Sequence, residues 1–254
     1  MKASGNTILL TGGGSGIGRA LAQRWHDAGN KVVVAGRRTD TLEETASGRA
    51  GISVERLDVD DVGGLAANVA AIIGRHPEIN VLVNNAGIMW FEKLDRARDL
   101  ADAEATIATN LLGPIRLTDA LIDHLIAKPD AAIVNVTSGL AFVPLVTTPT
   151  YSATKAAMHS YSVALREALR GRVEVIELAP PGVQTDLTPG QSTRAGYQPL
   201  DEFADEVVAL FAQQPTPDEI LVKNVQAFRH AERDSRVGEL VTMLAERSRA
   251  NGAE

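Results

Sequence analysis

Tyr151 and Lys155 stand four residues apart in a stretch of helical periodicity, so they share one face of a helix. A free phenol titrates near pH ~10 and is a poor acid or base at neutral pH. A neighbouring ammonium stabilises the phenolate and lowers that value. Ser138, just after a short apolar run, offers a hydroxyl that can hold a carbonyl oxygen without bringing a competing charge. These residue types suit proton transfer to or from a carbonyl oxygen; an exposed cation beside an aromatic ring is the plainer alternative. His159 continues the same helical face and reads as a structural histidine rather than a catalytic one. The other four His share no metal-ligand spacing, and no catalytic metal is expected.

A second group of residues suits a phosphate. The first apolar run, Thr7 to Leu10, leads into Thr11-Gly12-Gly13-Gly14-Ser15-Gly16-Ile17-Gly18 and then into helical sequence. Glycines permit a tight strand-to-helix turn and close approach of backbone N–H groups, while the helix N-terminus favours an anion. In NAD-binding folds an acidic residue about 20 positions beyond the glycines accepts hydrogen bonds from the ribose 2′-OH. Here that position is Gly36, followed by Arg37 and Arg38. A carboxylate would repel a 2′-phosphate and two guanidinium groups can clamp one, so NADP(H) is expected over NAD(H). Asp58-Val59 follows the third apolar run and Asn84-Asn85-Ala86-Gly87 the fourth. Asp58 can accept from an adenine amino group or cap the next helix. Asn85, Ala86 and Gly87 allow backbone contact with a cofactor, and the Asn side chains can tie neighbouring strands.

The elements that position these groups alternate. Strands are expected at 7–10, 31–35, 52–57, 81–83, 132–136 and 173–178, with helices near 17–28, 39–46, 61–75, 100–127 and 151–170. Most strands are apolar throughout, as strands covered on both faces are. This βαβ rhythm predicts an α/β domain with a doubly wound parallel sheet. No linker or repeat divides the 254 residues, so one domain is read over 1–254. The irregular stretch 186–200 is long enough to be a substrate lid.

Composition narrows the class. The formal charge is −7, which argues against general nucleic-acid binding. Residues 1–50 nonetheless carry seven basic and four acidic side chains, a net of +3 around the glycine-rich turn. There is no Cys, which excludes disulfides, thiol catalysis and Cys-ligated metals, and fits a reducing cytoplasm. The uncharged stretch 131–154 holds too many polar residues and prolines for a membrane span, and the start MKASGNTILL lacks a signal-peptide pattern. A cytoplasmic location without a membrane partner is expected.

TGGGSGIG at 11–18, NNAG at 84–87, Asn110, Ser138, YSATK at 151–155 and PPGVQT at 180–185 together resemble the short-chain dehydrogenase/reductase family over roughly residues 5–190. The whole chain looks most like the bacterial branch of that family named for a D-alanyl lipoteichoic acid operon. The resemblance implies a Rossmann-like sheet of about seven strands. It implies a catalytic set of Ser138, Tyr151, Lys155 and Asn110, in which Tyr151 gives a proton to the carbonyl oxygen as hydride arrives from the nicotinamide. Tyr151 and Lys155 would also contact the cofactor, and Asn110 would hold a water linking Lys155 to solvent. Gly12, Gly14, Ser15, Gly16, Ile17 and Gly18 would cradle the pyrophosphate. Pro181, Gly182, Val183 and Thr185 would shape the nicotinamide side of the pocket. Pro114, four residues after Asn110, has no N–H for the Asn110 carbonyl and would leave that oxygen free.

The substrate implied is a small carbonyl or alcohol. Met89-Trp90-Phe91 and Phe142-Val143-Pro144 would flank the nicotinamide with apolar surface, core packing being their commoner use. The family's usual C-terminal ending is missing. Residues 215–254 carry Pro215-Thr216-Pro217, a last strand at 219–222 and a charged helical tail. A homodimer is therefore as reasonable as the family's usual homotetramer. An NAD(P)-binding regulator on the same fold is the alternative to an enzyme, and the Ser/Tyr/Lys/Asn set speaks against it, since a sensor needs no proton-transfer group.

Overall fold

A computed structural model describes residues 1–250. Seven strands form one parallel sheet: β1 (Thr7–Thr11), β2 (Lys31–Gly36), β3 (Ile52–Arg56), β4 (Val81–Asn84), β5 (Ala132–Val136), β6 (Glu174–Leu178) and β7 (Glu219–Ile220). Their order across the sheet is β3-β2-β1-β4-β5-β6-β7, every neighbour pair parallel. The four central strands, β1, β4, β5 and β6, are buried almost throughout, which explains their continuous apolar sequence.

Parallel neighbours require crossover helices, and the chain supplies α1 (Gly16–Asp27), α2 (Thr39–Ala46), α3 (Leu65–Arg75), α4 (Ala101–Ile107), α5 (Gly113–Ile126), α6 (Pro149–Ala168), α7 (Leu200–Phe211), α8 (Gln226–Arg229) and α9 (Val237–Ala250). Alternate side chains of each strand feed two separate cores. In β1, Ile8 and Leu10 join Trp25 of α1 and Phe203 of α7 on one face, while Leu9 joins Val69 of α3 and Leu121 of α5 on the other. Trp25 and Phe211 meet edge to face at 5.4 Å and fix α1 against α7.

Sequence expectation and structure part in three places. The helix expected over 100–127 is two helices joined by a π-helical turn at Ala108–Leu112, because Gly113 donates its N–H to the Ala108 carbonyl five residues back. The helix expected from 61 begins at Leu65, since the Asp61 carboxylate caps a preceding turn by accepting from Gly64 N–H at 3.0 Å. The last strand is confined to Glu219–Ile220. The C-terminal segment then folds back on the domain: Ala231 and Leu240 pack on the fully buried Val143. That contact places Val143 in the core rather than beside a cofactor.

The strand order reverses between β1 and β4. Open α/β sheets bind ligands beyond the carboxyl ends of their strands at such a point.

Candidate active site

The glycine-rich turn lies at this switch point. Gly12 and Gly16 have φ of 69° and 49°, a region that L side chains rarely adopt. A Cβ on Gly18 would sit 2.2 Å from the Gly12 carbonyl oxygen, so only glycine lets α1 start so close to the end of β1. Ser15 caps α1 without a side-chain hydrogen bond, leaving the first-turn N–H groups for another acceptor. A cleft of about 410 Å³ opens in front of them, lined by Gly12, Gly14, Ser15, Arg37, Arg38 and Asp58. Val59, Ala86 and Gly87 line it further along. A second cleft of about 460 Å³, around Met1 and Glu174, shares no residue with it.

Arg37 and Arg38 are exposed at the end of β2 and form no ion pair among the described residues, so both guanidinium groups are available to an anion. Asp58 accepts the N–H of Asp60 at 3.1 Å and thus shapes the turn after β3. The half-buried Asp60 keeps its buried Oδ1 unpartnered while its other oxygen accepts from Thr109 at 2.8 Å. A backbone cradle, a helix terminus without a side-chain cap and two free guanidinium groups fit an anionic dinucleotide, and the orphaned oxygen is left to accept from a donor on it.

Asn85 does not face the cleft. Its amide donates to the Thr11 carbonyl at 2.9 Å and the Gly12 carbonyl at 3.3 Å, fastening β4 to the glycine turn. Asn84 donates to Asn135 at 2.9 Å, and Asn135 to Ser162 at 2.9 Å, so side-chain amides bridge β4, β5 and α6.

The expected catalytic residues converge next to this cleft. Tyr151, Ser138, Lys155 and Asn110 are all buried. The Ser138 hydroxyl accepts from Leu140 N–H at 3.1 Å and lies near enough to the Tyr151 phenol to oppose the rise of its pKa. The Lys155 ammonium lies 5.5 Å from the Tyr151 ring centroid and donates to the Val136 carbonyl at 2.8 Å. A Cβ on Gly87 would be 3.3 Å from Asn110 Oδ1 and 3.8 Å from Lys155 Nζ, so that glycine keeps both within reach of the cleft. Asn110 sits in the π-helical turn; it accepts from Ile88 N–H at 2.9 Å and donates to the Ile88 carbonyl at 2.8 Å. Pro114 stands in the first turn of α5, so the freed backbone that its sequence position predicts falls within a local π turn.

The electrostatics differ from the sequence expectation in one respect. In the chain by itself burial pushes the Tyr151 phenol up to about 12, with the nearby Ser138 hydroxyl opposing the shift and Tyr197 adding to it. Burial also pushes Lys155 down to about 8. Desolvation therefore dominates both groups in the chain by itself.

Two further features were missed in the sequence. Glu92, three residues beyond Met89, is buried and caps α6: it accepts from Thr150 N–H at 3.0 Å and from the Thr150 hydroxyl at 2.7 Å, while Arg98 pairs with it at 2.6 Å. Only its acidic type next to the NNAG stretch hinted at this. Trp90 and Phe91 are more than a third exposed, so neither is core. In the 180–185 segment, Val183 bridges to Gln198, Gln191 donates to Thr185 at 3.2 Å, and the Thr185 side chain lies 3.4 Å from the Cβ position of Gly16. Pro181 and Gly182 lead into this bridge, with the Tyr197 ring against Gly182 at 3.1 Å from its Cβ position.

A parallel sheet with a glycine cradle and an adjacent Tyr/Lys/Ser corner defines a nucleotide-dependent oxidoreductase. Residues 6–195 match the family of short chain dehydrogenases, and the chain belongs to that family. It is 39% identical over 238 residues to "Uncharacterized oxidoreductase DltE" of Bacillus subtilis, covering 92% of this chain and 94% of that one. It is 36% identical over 186 residues to a sulfoacetaldehyde reductase of Chromohalobacter salexigens, covering 71% and 74%. A short chain dehydrogenase of Burkholderia cenocepacia, solved in complex with NADP, shares the fold at a TM-score of 0.80 and 24% identity, covering 96% of this chain and 99% of that one. The chain is thus an oxidoreductase of the short-chain type. Among the described residues no helix is long and apolar enough to cross a membrane.

Proposed function

We propose that this protein is an NADP(H)-dependent carbonyl reductase or alcohol dehydrogenase with Tyr151 as its acid/base. The observation that carries the reading is the convergence of Ser138, Tyr151 and Lys155 beside a glycine-built cleft whose outer rim is Arg37-Arg38. Arg37 holds the 2′-phosphate, with Arg38 assisting by charge or stacking. The first-turn N–H groups of α1 hold the pyrophosphate. Bound, the nicotinamide supplies hydride and, when oxidised, a fixed positive charge.

Ser138 orients the substrate carbonyl by donating to its oxygen, and the Tyr151 hydroxyl delivers the proton to that same oxygen. The phenolate left behind is stabilised by Lys155, which explains why a buried ammonium stands against the aromatic ring despite its desolvation cost. Asn110, fixed by both its bonds to Ile88, holds the water through which the proton is replaced from solvent. In the alcohol-oxidising direction the same groups act in reverse order.

Residues 186–200 act as the lid, hinged where Val183 bridges Gln198 and carrying Arg194 and Tyr197 toward the catalytic phenol. The chemistry sits within one chain and the protein works as a homo-oligomer in the cytoplasm. The test is kcat/KM for NADPH and NADH across a panel of small aldehydes, ketones and alcohols. A preference for NADPH of at least about tenfold is expected. Equal kcat/KM for the two cofactors returns Arg37 and Arg38 to ordinary surface charge.

A further inference from the structure

Beneath the Ser138 loop lies a set of charges that the chemistry above does not use. Glu177, next to the carboxyl end of β6, is fully buried. One of its carboxylate oxygens accepts from the Thr137 hydroxyl at 2.7 Å and the other accepts from His159 Nδ1 at 2.7 Å. Glu219 on β7 accepts from two nitrogens of Arg229 at 2.7 and 2.9 Å. Ligand atoms of His159, Glu177 and Glu219 all lie within 4.8 Å of one another. Such a trio could suggest a metal, but each carboxylate oxygen already has a protein donor, and a guanidinium supplies the positive charge.

Charge counting sets the state of His159. Two carboxylates facing one guanidinium leave an unbalanced buried anion, which is costly unless the imidazole is protonated. His159 is faced by Glu177 from β6, Glu219 from β7 and Arg229 from α8, and the Phe142 ring meets it edge-on at 5.0 Å. Farther out, Arg166 faces Glu219 and Glu232 faces Arg229. The Glu177 hydrogen bond outweighs burial and raises the His159 pKa above its usual value.

The cluster adjoins the Ser138 turn and the helix that carries Tyr151 and Lys155. Thr137 immediately precedes Ser138. His159 stands four residues beyond Lys155 on α6, as Lys155 stands four beyond Tyr151. The Arg229 guanidinium lies 5.1 Å over the Phe142 ring, in the turn that Ser138 starts. Four elements far apart in sequence are thus joined by one ionic knot with no free valence.

We propose that His159, held by Glu177 and braced through Phe142 by Arg229, is a positioning residue of the catalytic centre: the imidazolium fixes α6, and with it Tyr151 and Lys155, against the strand end that carries Ser138. The atypical C-terminal segment then serves the site, because it supplies Arg229. This rests on the reading of Tyr151 as the proton donor. The lock is complete below the ordinary His value of about 6.5 and is released as pH rises through the elevated folded value.

The test uses His159→Gln, the isosteric Glu177→Gln, and the double variant, in the full chain. NMR should place the wild-type His159 midpoint above about 6.5 and show it falling in Glu177→Gln. Turnover of the best carbonyl in the panel should drop about ten- to hundredfold in His159→Gln, as misplaced catalytic groups do, with KM for NADPH within about twofold. The double variant should lose less than the sum of the singles. Independently of any substrate, the ultraviolet titration of Tyr151 with NADP+ added, taken as a difference from Tyr151→Phe, should shift in His159→Gln. An unmoved phenol midpoint with a lower Tm overturns the proposal and leaves the cluster as a staple of the fold, whether or not turnover is detected. A shifted midpoint in a protein that reduces no carbonyl keeps the positioning role and rejects the carbonyl-reductase reading instead.

Discussion

The glycine-built cleft and the Ser138–Tyr151–Lys155 corner are neighbours built on opposite principles. Around β1, β2 and α1 the site consists of backbone and of missing side chains: Gly12, Gly14 and Gly18 each leave room that a Cβ would fill. Around β5, β6 and α6 it consists of buried polar side chains that hold one another, as in Asn84–Asn135–Ser162 and Thr137–Glu177–His159. A phosphate can be bound by N–H groups that any backbone supplies once it is bent correctly. Proton transfer needs particular groups set at particular distances, and those distances are enforced by partners from remote parts of the chain.

The largest expected effect is in the second region. Tyr151→Phe removes the transferable proton and keeps the ring, so kcat should fall by at least about 10²–10⁴-fold while NADPH binding, followed by fluorescence, stays near wild type. A variant that retains a tenth of the activity would show that the corner's polar order serves something other than proton transfer. Lys155→Met should damage both rate and cofactor affinity, since Lys155 is given two roles.

In the first region the effects should fall on binding. Arg37→Ala loses a charged hydrogen bond worth about 1.5–3 kcal/mol, so the NADPH Kd should rise roughly 10–150-fold. The NADH Kd, lacking a phosphate partner there, should hardly move. Gly36→Asp should turn the preference toward NADH by repelling the phosphate and accepting from the 2′-OH. Gly18→Ala should destabilise the fold by about 1–3 kcal/mol, read as a lower denaturant midpoint, because its methyl meets the Gly12 carbonyl oxygen at 2.2 Å.

The smallest effect tests a charge pair remote from both regions. Glu55 on β3 accepts from Arg75 and lies beside His76, and the Arg75 bond is the leading cause that lowers its pKa. The stability it contributes is present above the ordinary Glu value and is lost as pH falls through the lowered one. Because Arg75 is half exposed, Glu55→Gln should cost no more than about 1 kcal/mol at neutral pH and leave turnover unchanged. A larger loss would mean that ion pairs matter as much at this remote edge of the sheet as around Ser138, Tyr151 and Lys155.

Strands and their order of appearance were legible because each carries its own signal. The residues 132–136 and 39–46 form the strand and the helix that periodicity predicts, to the residue. The glycine turn was legible for the same reason: a run of glycines between a strand and a helix is a local statement. The π turn at Asn110 was not, since it depends on which carbonyl accepts the Gly113 N–H, a choice made over a single residue of register. His159 read as an ordinary structural histidine, with no sign that a carboxylate 18 residues away on β6 would meet it.

The sequence by itself determined the class of sheet and the glycine turn, and it named Ser138, Tyr151 and Lys155 as candidates, because these rest on residue type and local pattern. Only the tertiary structure decided what surrounds that trio. It put Val143 in the core, recruited Glu92 to cap α6, and brought Arg229 from the C-terminal segment over Phe142. The physical reason is the cost of burial. An apolar run satisfies its needs through its own periodicity, whereas a buried polar or charged side chain must find a partner wherever the fold places one.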